Sequence, residues 1–322
     1  TECFSRKIVS LGEENPRIAC ITAAMSKGTG LDAFSRRFPE RFFDAGIAEE
    51  HAVTFAGGLA AGGMIPVTAI YSTFIQRSVD QIIEDIALQK RHAVFVFDRA
   101  GAVPDDGETH QGIFDISLFK CVPNLVLMTA GTARDLELCL DYAVSGTESP
   151  VCIRWSKNTC PTETEPFTRE VQEGRGVFVN SQDFAASLSP KEDELSLPHK
   201  KILLCCTGSL YPETLTAARS LLMEKTECDI FSLRFIKPFD YSYFEEIAEK
   251  YDALLLAEDG VKKGGFGEEW LISVKKKFPE KKVSVLGFPD AFPANGTRAE
   301  ILAASGLDSA GIAASARALL EE

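Results

Sequence analysis

Two short stretches of this 322-residue chain gather the residue types that move protons and hold anions. In "RFFDAGIAEEHAVTFAGG", beginning at Arg41, the adjacent acids Glu49 and Glu50 and then His51 stand among small and apolar neighbours. In "FDRAGAVPDDGETHQGIFD", Asp98 and Arg99 are followed by Asp105, Asp106, Glu108 and His110, with glycines between them. A carboxyl group on an apolar wall is pulled two ways, since burial favours its neutral form and a helix N-terminus favours the anion. Where burial dominates, the group shares a proton readily with a ligand nitrogen. Histidine is the side chain suited to proton transfer near neutral pH, which makes His110 a candidate shuttle, and an arginine such as Arg99 can grip phosphate or carboxylate. Each stretch also has a plainer reading: Glu49 as a helix-start acid in its favourable dipole position, and the second stretch as an acidic surface loop. The residues by themselves leave both open.

The elements around them narrow the choice between the two glutamates. A helix is expected from near Ala48 to about Ala61. Ala52, Val53, Ala56 and Ala60 fall on the face of Glu49 at steps of three and four, whereas Glu50 lies about 100° round the wheel with Thr54 and Gly57 or Gly58. The Ala- and Gly-rich composition lowers the helix's intrinsic stability and lets another backbone or a ligand approach closely. The second stretch follows an apolar strand, "AVFVFDRAG". In open parallel sheets, ligands bind beyond the carboxyl ends of strands, so Asp98 and Arg99 stand where polar chemistry is expected.

Strand-like runs recur at "RIACITAAM", "VTAIYSTF", "NLVLMTAG" and "PVCIRWS", separated by helical segments. In "STFIQRSVDQIIEDIALQKR", Ile75, Val79, Ile82, Ile83 and Ile86 share one helical face. In "TARDLELCLDYAV", Leu136, Leu140 and Ala143 do the same behind a candidate N-cap, Thr132. Continuous apolar strands alternating with helices imply a parallel sheet covered on both faces. Past Pro161 the chain turns polar and irregular, and "NSQDFAASLSPKEDELSLPHK" reads as an exposed loop or hairpin insertion. A second strand–helix series then starts at "KILLCCTGS". The expected architecture is α/β with two doubly wound domains: residues 1–163, a linker and insertion over 164–200, and residues 201–322.

Lys plus Arg number 34 against 47 Asp plus Glu, a formal net charge of −13. Such a chain is a poor general binder of nucleic acid or anionic membrane. No apolar run has the length of a membrane span, and Thr1–Ser10 is mixed and polar. Nine cysteines, without a CxxC pair or zinc-like spacing, read as reduced core thiols of a cytoplasmic protein, and no metal site is expected.

Taken in order, "RFFDAGIAEEHAVTFAGGLAAGG", "PVTAIYSTFIQRSVDQIIEDIALQ", "FDRAGAVPDDGETHQGIFDIS" and "CVPNLVLMTA" resemble the pyrimidine-binding domain of the 1-deoxy-D-xylulose-5-phosphate synthase family, transketolase-like enzymes that depend on thiamine diphosphate. "TGSLYPE", "LRFIKPFD" and "GGFGEEW" are similar, more weakly, to that family's C-terminal domain. Four long motifs in order outweigh the plainer readings of the two stretches. The resemblance implies condensation of pyruvate with D-glyceraldehyde 3-phosphate, with loss of CO2, on the way to isoprenoid precursors, thiamine and pyridoxal. It implies Glu49 as the carboxyl that hydrogen-bonds the cofactor's pyrimidine nitrogen, Phe74 stacked on that ring, and Ile47 and Met25 beside it. It places Tyr71, Arg99, Arg77, Asp106 and Lys157 at the acceptor substrate and His110 near the reacting carbonyl. Lys157, in "RWSKN", stands where the family usually has an arginine after a Tyr-Pro pair. A lysine keeps the charge but loses the planar two-pronged grip. "DAFPANGTRAE" departs further from the family pattern, and the stretch Ser187–Leu197 is unusual for it.

The family's diphosphate and Mg2+ are held by a further domain with a Gly-Asp-Gly motif and a later Asn. Neither "EDGVKKGGFGEEW" nor "DDGETHQG" reads as that motif, the former being expected as a glycine turn that starts a helix near Glu268. The chain is therefore expected to be part of a longer enzyme, inactive alone, with the Mg2+ site elsewhere, and to act as a homodimer. Rival readings are the beta-type subunit of a 2-oxo acid dehydrogenase or of a transketolase, and a non-catalytic transketolase-like scaffold.

Overall fold

A computed structural model describes residues 1–161, 165–185 and 200–321. Among these residues twelve strands alternate with helices: β1 Ile18–Thr22, β2 Phe42–Asp44, β3 Ile65–Tyr71, β4 Val94–Asp98, β5 Val126–Thr129, β6 Val151–Arg154, β7 Val177–Val179, β8 Lys201–Thr207, β9 Glu227–Leu233, β10 Phe235–Lys237, β11 Ala253–Val261 and β12 Lys282–Phe288. They form two sheets, ordered β10-β5-β6-β4-β3-β1-β2 and β12-β11-β8-β9-β7. Pairing is parallel except for the edge strands β10 on β5 and β7 on β9. Every residue of β1, β3, β4 and β6 is buried, as a parallel sheet covered on both faces requires. The architecture is the two-domain α/β arrangement that the alternating pattern implies.

The register sets the site. Tyr71 of β3 lies level with Asp98 of β4, and Phe97 of β4 level with Arg154 of β6. The carboxyl ends of three neighbouring strands thus open into one region. Helix Glu49–Ala61 packs Ala52, Val53 and Ala56 into the core with Ile70, Ile75 and Ile86. One of its glycines permits the expected close approach: a Cβ on Gly57 would stand 3.1 Å from the carbonyl oxygen of Asp85, whereas Gly58 has nothing within 4 Å. Thr132 caps helix Ala133–Asp141, its hydroxyl accepting the Asp135 N–H at 3.2 Å.

Several expectations need correction. The amphipathic stretch after β3 is not one helix. A helical turn at Ser72–Ile75 tightens to a 3-10 turn at Gln76–Ser78, returns to α at Val79–Gln81 and widens to a π-helix over Ile82–Ala87. The change of pitch shifts the phase of the apolar stripe, so Ile75, Ile82 and Ile86 are buried and Ile83 is 36% exposed. "CDIFSLRFIKP" is two strands, divided at Arg234, whose Nε donates to Asp135 at 2.6 Å. Its second half, β10, crosses to the sheet of the first domain. Glu258, Asp259 and Gly260 do not form a turn; they lie within β11, buried, and the turn that starts helix Phe266–Lys277 comes after them. Of the stretch expected as linker, β7 joins the second sheet and helix Ser181–Ala185 buries Phe184, while Ser187–Leu197 lies outside the described residues. Cys205 and Cys206 are buried in β8. No helix among the described residues is long and apolar enough to cross a membrane.

Candidate active site

Helix Glu49–Ala61 begins at Glu49 with Ala48 as its N-cap residue and no side-chain cap. The two glutamates part as the helical wheel predicts: Glu49 is 2% exposed, whereas Glu50 and His51 face solvent. The stacked ring of Phe55 is the neighbour of His51, at 6.1 Å between centroids, so this histidine stays outside the site. Sequence reasoning missed the main partner of Glu49. Arg77 Nη1 is ion-paired to Glu49 Oε1, and the guanidinium carbon lies 5.0 Å from the centre of the Phe74 ring. Arg77 thus lies beside Glu49 and Phe74. The tight turn at Gln76–Ser78 directs it there. Glu49 Oε2 has no hydrogen-bond partner among the described residues.

Phe74 connects the two ends. Its ring stacks at 24° on Tyr71, 6.0 Å away, and meets His110 edge to face at 5.4 Å. Thr73 Oγ1 donates to the carbonyl of Thr109 at 2.9 Å, tying the turn after β3 to the loop that carries His110. Thr109 Oγ1 is 3.0 Å from His110 Nδ1. Ile47, 84% exposed, and Met25, partly buried, lie in the loops beyond β2 and β1.

At the other end, the Arg99 guanidinium sits 3.8 Å above the Tyr71 ring. Burial pushes the Tyr71 hydroxyl above its ordinary pKa, and Arg99 only partly offsets this. The Tyr71 hydroxyl rests directly on Gly28, where no Cβ could fit beside it. Asp106 stands between two cations, 4.0 Å from Arg99 and 3.8 Å from Lys157. Arg99 and Asp105 both hold the left-handed backbone conformation, with φ of 63° and 68°. That conformation costs a non-glycine residue roughly 1 kcal/mol and concentrates at functional loops. Asp98, at the end of β4, is buried and its carboxyl is pushed up by that burial, despite a 2.8 Å hydrogen bond from Thr1 Oγ1.

The structure therefore brings together Glu49, Arg77, Phe74, Tyr71 and His110 through successive contacts, and Tyr71, Arg99, Asp106 and Lys157 through others. A buried carboxylate with one free oxygen lies at one end, and a cluster able to hold an anion lies at the other. Also missed from the sequence was Arg154 at the end of β6. It is fully buried between Asp115 and Asp259, and no spacing signal in "RWSKN" sets it apart from Lys157.

The chain is similar to known proteins over nearly its whole length. The transketolase pyrimidine-binding domain pattern matches residues 1–163, and the transketolase C-terminal domain pattern matches residues 194–312. The chain is 44% identical over 320 residues to a 1-deoxy-D-xylulose-5-phosphate synthase of Treponema pallidum (strain Nichols), covering 99% of this chain and 48% of that protein. It is 42% identical over 294 residues to the synthase of Dictyoglomus thermophilum, covering 91% and 44%. A solved structure described as "Split gene transketolase, inactive beta4 tetramer" superposes with a TM-score of 0.81 at 26% identity, covering 99% of this chain and 97% of that one. The chain thus spans about half the length of the curated relatives it matches, and nearly all of the split-gene chain.

Proposed function

The chain belongs to the transketolase family, with a pyrimidine-binding domain followed by a C-terminal domain, and from that premise we propose that it supplies the pyrimidine side and the acceptor side of a thiamine-diphosphate-dependent 1-deoxy-D-xylulose-5-phosphate synthase. The observation that carries the reading is the buried Glu49 carboxylate, with one oxygen free, joined through the Phe74 and Tyr71 rings to the Arg99–Asp106–Lys157 cluster.

The residues fit a flat aminopyrimidine. Glu49 Oε2 is available to a ring nitrogen, Phe74 offers a ring to stack on, and Ile47 and Met25 offer apolar surface. Phe74 can receive the ring once Arg77 turns aside, and with 48% of its side chain exposed Arg77 has room to do so. When bound, the cofactor supplies the acidic carbon and the electron sink that decarboxylation of pyruvate needs. Glu49 would hold a hydrogen bond to the cofactor's pyrimidine nitrogen and so favour its proton-accepting form. With the Thr109 hydroxyl donating to Nδ1, His110 carries its proton on Nε2 and can donate it to a carbonyl oxygen. Arg99 and Lys157 hold the acceptor's phosphate, with Asp106 setting the distance between them. Lys157 acts as a point charge, so it orients that phosphate less firmly than an arginine would.

The diphosphate and Mg2+ belong, on this reading, to another part of the protein or to a partner chain. The likeness to a split-gene chain of the same extent, itself described as inactive, supports inactivity of this chain alone. Homodimerisation and a cytoplasmic location complete the proposal; the latter is supported by nine unpaired cysteines, most of them buried. A second reading, a transketolase subunit moving two-carbon units, is favoured by the split-gene structure but at lower identity.

The test joins this chain to its diphosphate-binding part and supplies thiamine diphosphate, Mg2+, pyruvate and D-glyceraldehyde 3-phosphate. CO2 and 1-deoxy-D-xylulose 5-phosphate are expected. Failure to release CO2 with any acceptor, or turnover of a ketose phosphate donor in place of pyruvate, sinks the synthase reading. Tight calorimetric binding of the cofactor to the chain alone contradicts the division of the site.

A further inference from the structure

We propose that Asp259, in the second domain, is a positioning residue for the acceptor end of the site: one carboxylate fixes the two strand ends that carry Arg99 and Lys157. The inference rests on the reading that those two cations hold an anionic acceptor.

Asp259 lies in β11 and is 1% exposed. Its Oδ1 accepts from Arg154 Nη1 at 2.5 Å and from Thr207 Oγ1 at 2.7 Å, and its Oδ2 accepts from Ser209 Oγ. Arg154 ends β6, and its Nε donates to Asp115 at 2.8 Å. The guanidinium is thus clamped between one carboxylate from each domain. A buried cation held this way cannot shift without leaving a charge unpaired, so the backbone three residues before Lys157 is anchored to the second domain.

The same carboxylate backs the Arg99 loop. A Cβ on Gly101 would stand 2.8 Å from Asp259 Oδ2, and Gly101 has a φ of 74°. The position needs glycine on both counts. Gly101 closes the base of the loop through reciprocal hydrogen bonds with Gly112, at 2.7 and 3.0 Å. The loop's flanks also lean on the second domain: Asp105 N–H donates to Gly296 at 3.2 Å, and Val261 N–H donates to Ile113 at 3.0 Å. Arg99, Asp106 and Lys157 therefore take their spacing from contacts made across the domain boundary. Asp259 itself touches none of them, so it acts on them through the contacts it makes with Arg154 and the Gly101 turn.

Asp259→Asn keeps the shape and an oxygen acceptor while removing the charge. In the assembled enzyme it should raise the KM for D-glyceraldehyde 3-phosphate about tenfold and leave CO2 release from pyruvate without acceptor, and cofactor affinity, within about twofold. Loss confined to acceptor KM marks interactions shared by ground and transition states. Ser209→Ala, which removes one hydrogen bond, should act in the same direction by about two- to fivefold, and it keeps the test open if Asp259→Asn does not fold. In the chain alone, Ser209→Ala should speed hydrogen exchange at the Gly101, Asp105 and Gly112 amides and leave β1 and β3 unchanged. Equal loss of CO2 release and acceptor KM, no change in either, or unaltered exchange across 101–112 overturns the proposal. A wild-type assembly that releases no CO2 overturns the synthase reading instead, and the exchange measurement then still decides whether Asp259 holds the loop.

Discussion

Replacing Glu49 and Glu50 separately by glutamine separates two acids that sequence adjacency makes look alike. Glu49→Gln keeps an oxygen to accept from Arg77, loses the charge and replaces the other oxygen with an NH2 donor. Because Arg77 is about half exposed, solvent screens the Coulombic part, and the loss of stability should be about 1 kcal/mol or less. For a chain of this size that is a melting shift of about 2 °C. The expected effect on the rate is far larger. A positioned group that controls proton transfer contributes about 10²–10⁴-fold, or roughly 3–5 kcal/mol of barrier. In the assembled enzyme, exchange of the cofactor's C2 proton for deuterium, followed by quenched NMR, should slow by that factor in Glu49→Gln. Glu50→Gln, at an exposed side chain, should slow it less than about threefold on the same scale. Paired melting curves guard against a folding artefact. Equal slowing in the two variants, or a Glu49→Gln effect no larger than its effect on stability, would refute the assignment of the buried acid.

Three further outcomes follow from particular contacts. Burial raises the Glu258 carboxyl to about 7, against the two backbone N–H groups of Phe266 and Gly267 that favour its charge. The folded state therefore holds this proton where the unfolded chain releases it, so stability falls as pH rises from about 4.5 to 7 and the deficit persists above. The melting temperature of Glu258→Gln relative to wild type should accordingly be higher at pH 8 than at pH 5, and a difference that does not grow with pH contradicts the raised value. Gly28→Ala puts a Cβ into the Tyr71 hydroxyl; the displaced ring should weaken acceptor binding while cofactor affinity holds, and unchanged acceptor KM would show that Tyr71 is not part of the acceptor end. Native alkylation read by peptide mass spectrometry should modify Cys121 and Cys160, the exposed pair, well before the seven buried cysteines; rapid labelling of Cys205 or Cys206 would mean that β8 is not the buried strand described.

Much of the fold was legible because it follows local rules. Unbroken apolar runs marked β1, β3, β4, β5 and β6, and the three-and-four spacing of Ala52, Val53 and Ala56 placed Glu49 on the buried face of its helix. Three departures came from tertiary forces that leave no periodic trace. β10 sits at the edge of the first sheet because Arg234 is drawn to Asp135, 99 residues away in sequence, which divides an otherwise continuous apolar run. Ile83 is exposed where the backbone has passed from α to 3-10, back to α and then to π. The Glu258–Asp259–Gly260 triplet looked like a turn by composition, yet burial with partners on β8, β6 and the following helix made it strand.

The site shows the same division between what side-chain type announces and what only packing decides. Glu49, Arg99 and His110 stood out because charge or imidazole among glycine and apolar residues is costly unless it is used. Arg77 carried no such mark, since an arginine in a polar run is ordinarily a solvated one, and Arg154, at the end of the apolar run "PVCIRWS", stood where a strand gives way to a polar loop. In the folded chain each is committed to a carboxylate: Arg77 to Glu49, and Arg154 to Asp115 and Asp259. The two pairings have opposite consequences. The partly exposed Arg77 can swing, so its pairing holds Glu49 in place without sealing the position against a ligand. The fully buried Arg154 cannot, so its pairing ties the end of β6 to the second domain. Exposure of the cation, and not the identity of the pair, therefore separates a movable contact from a fixed one.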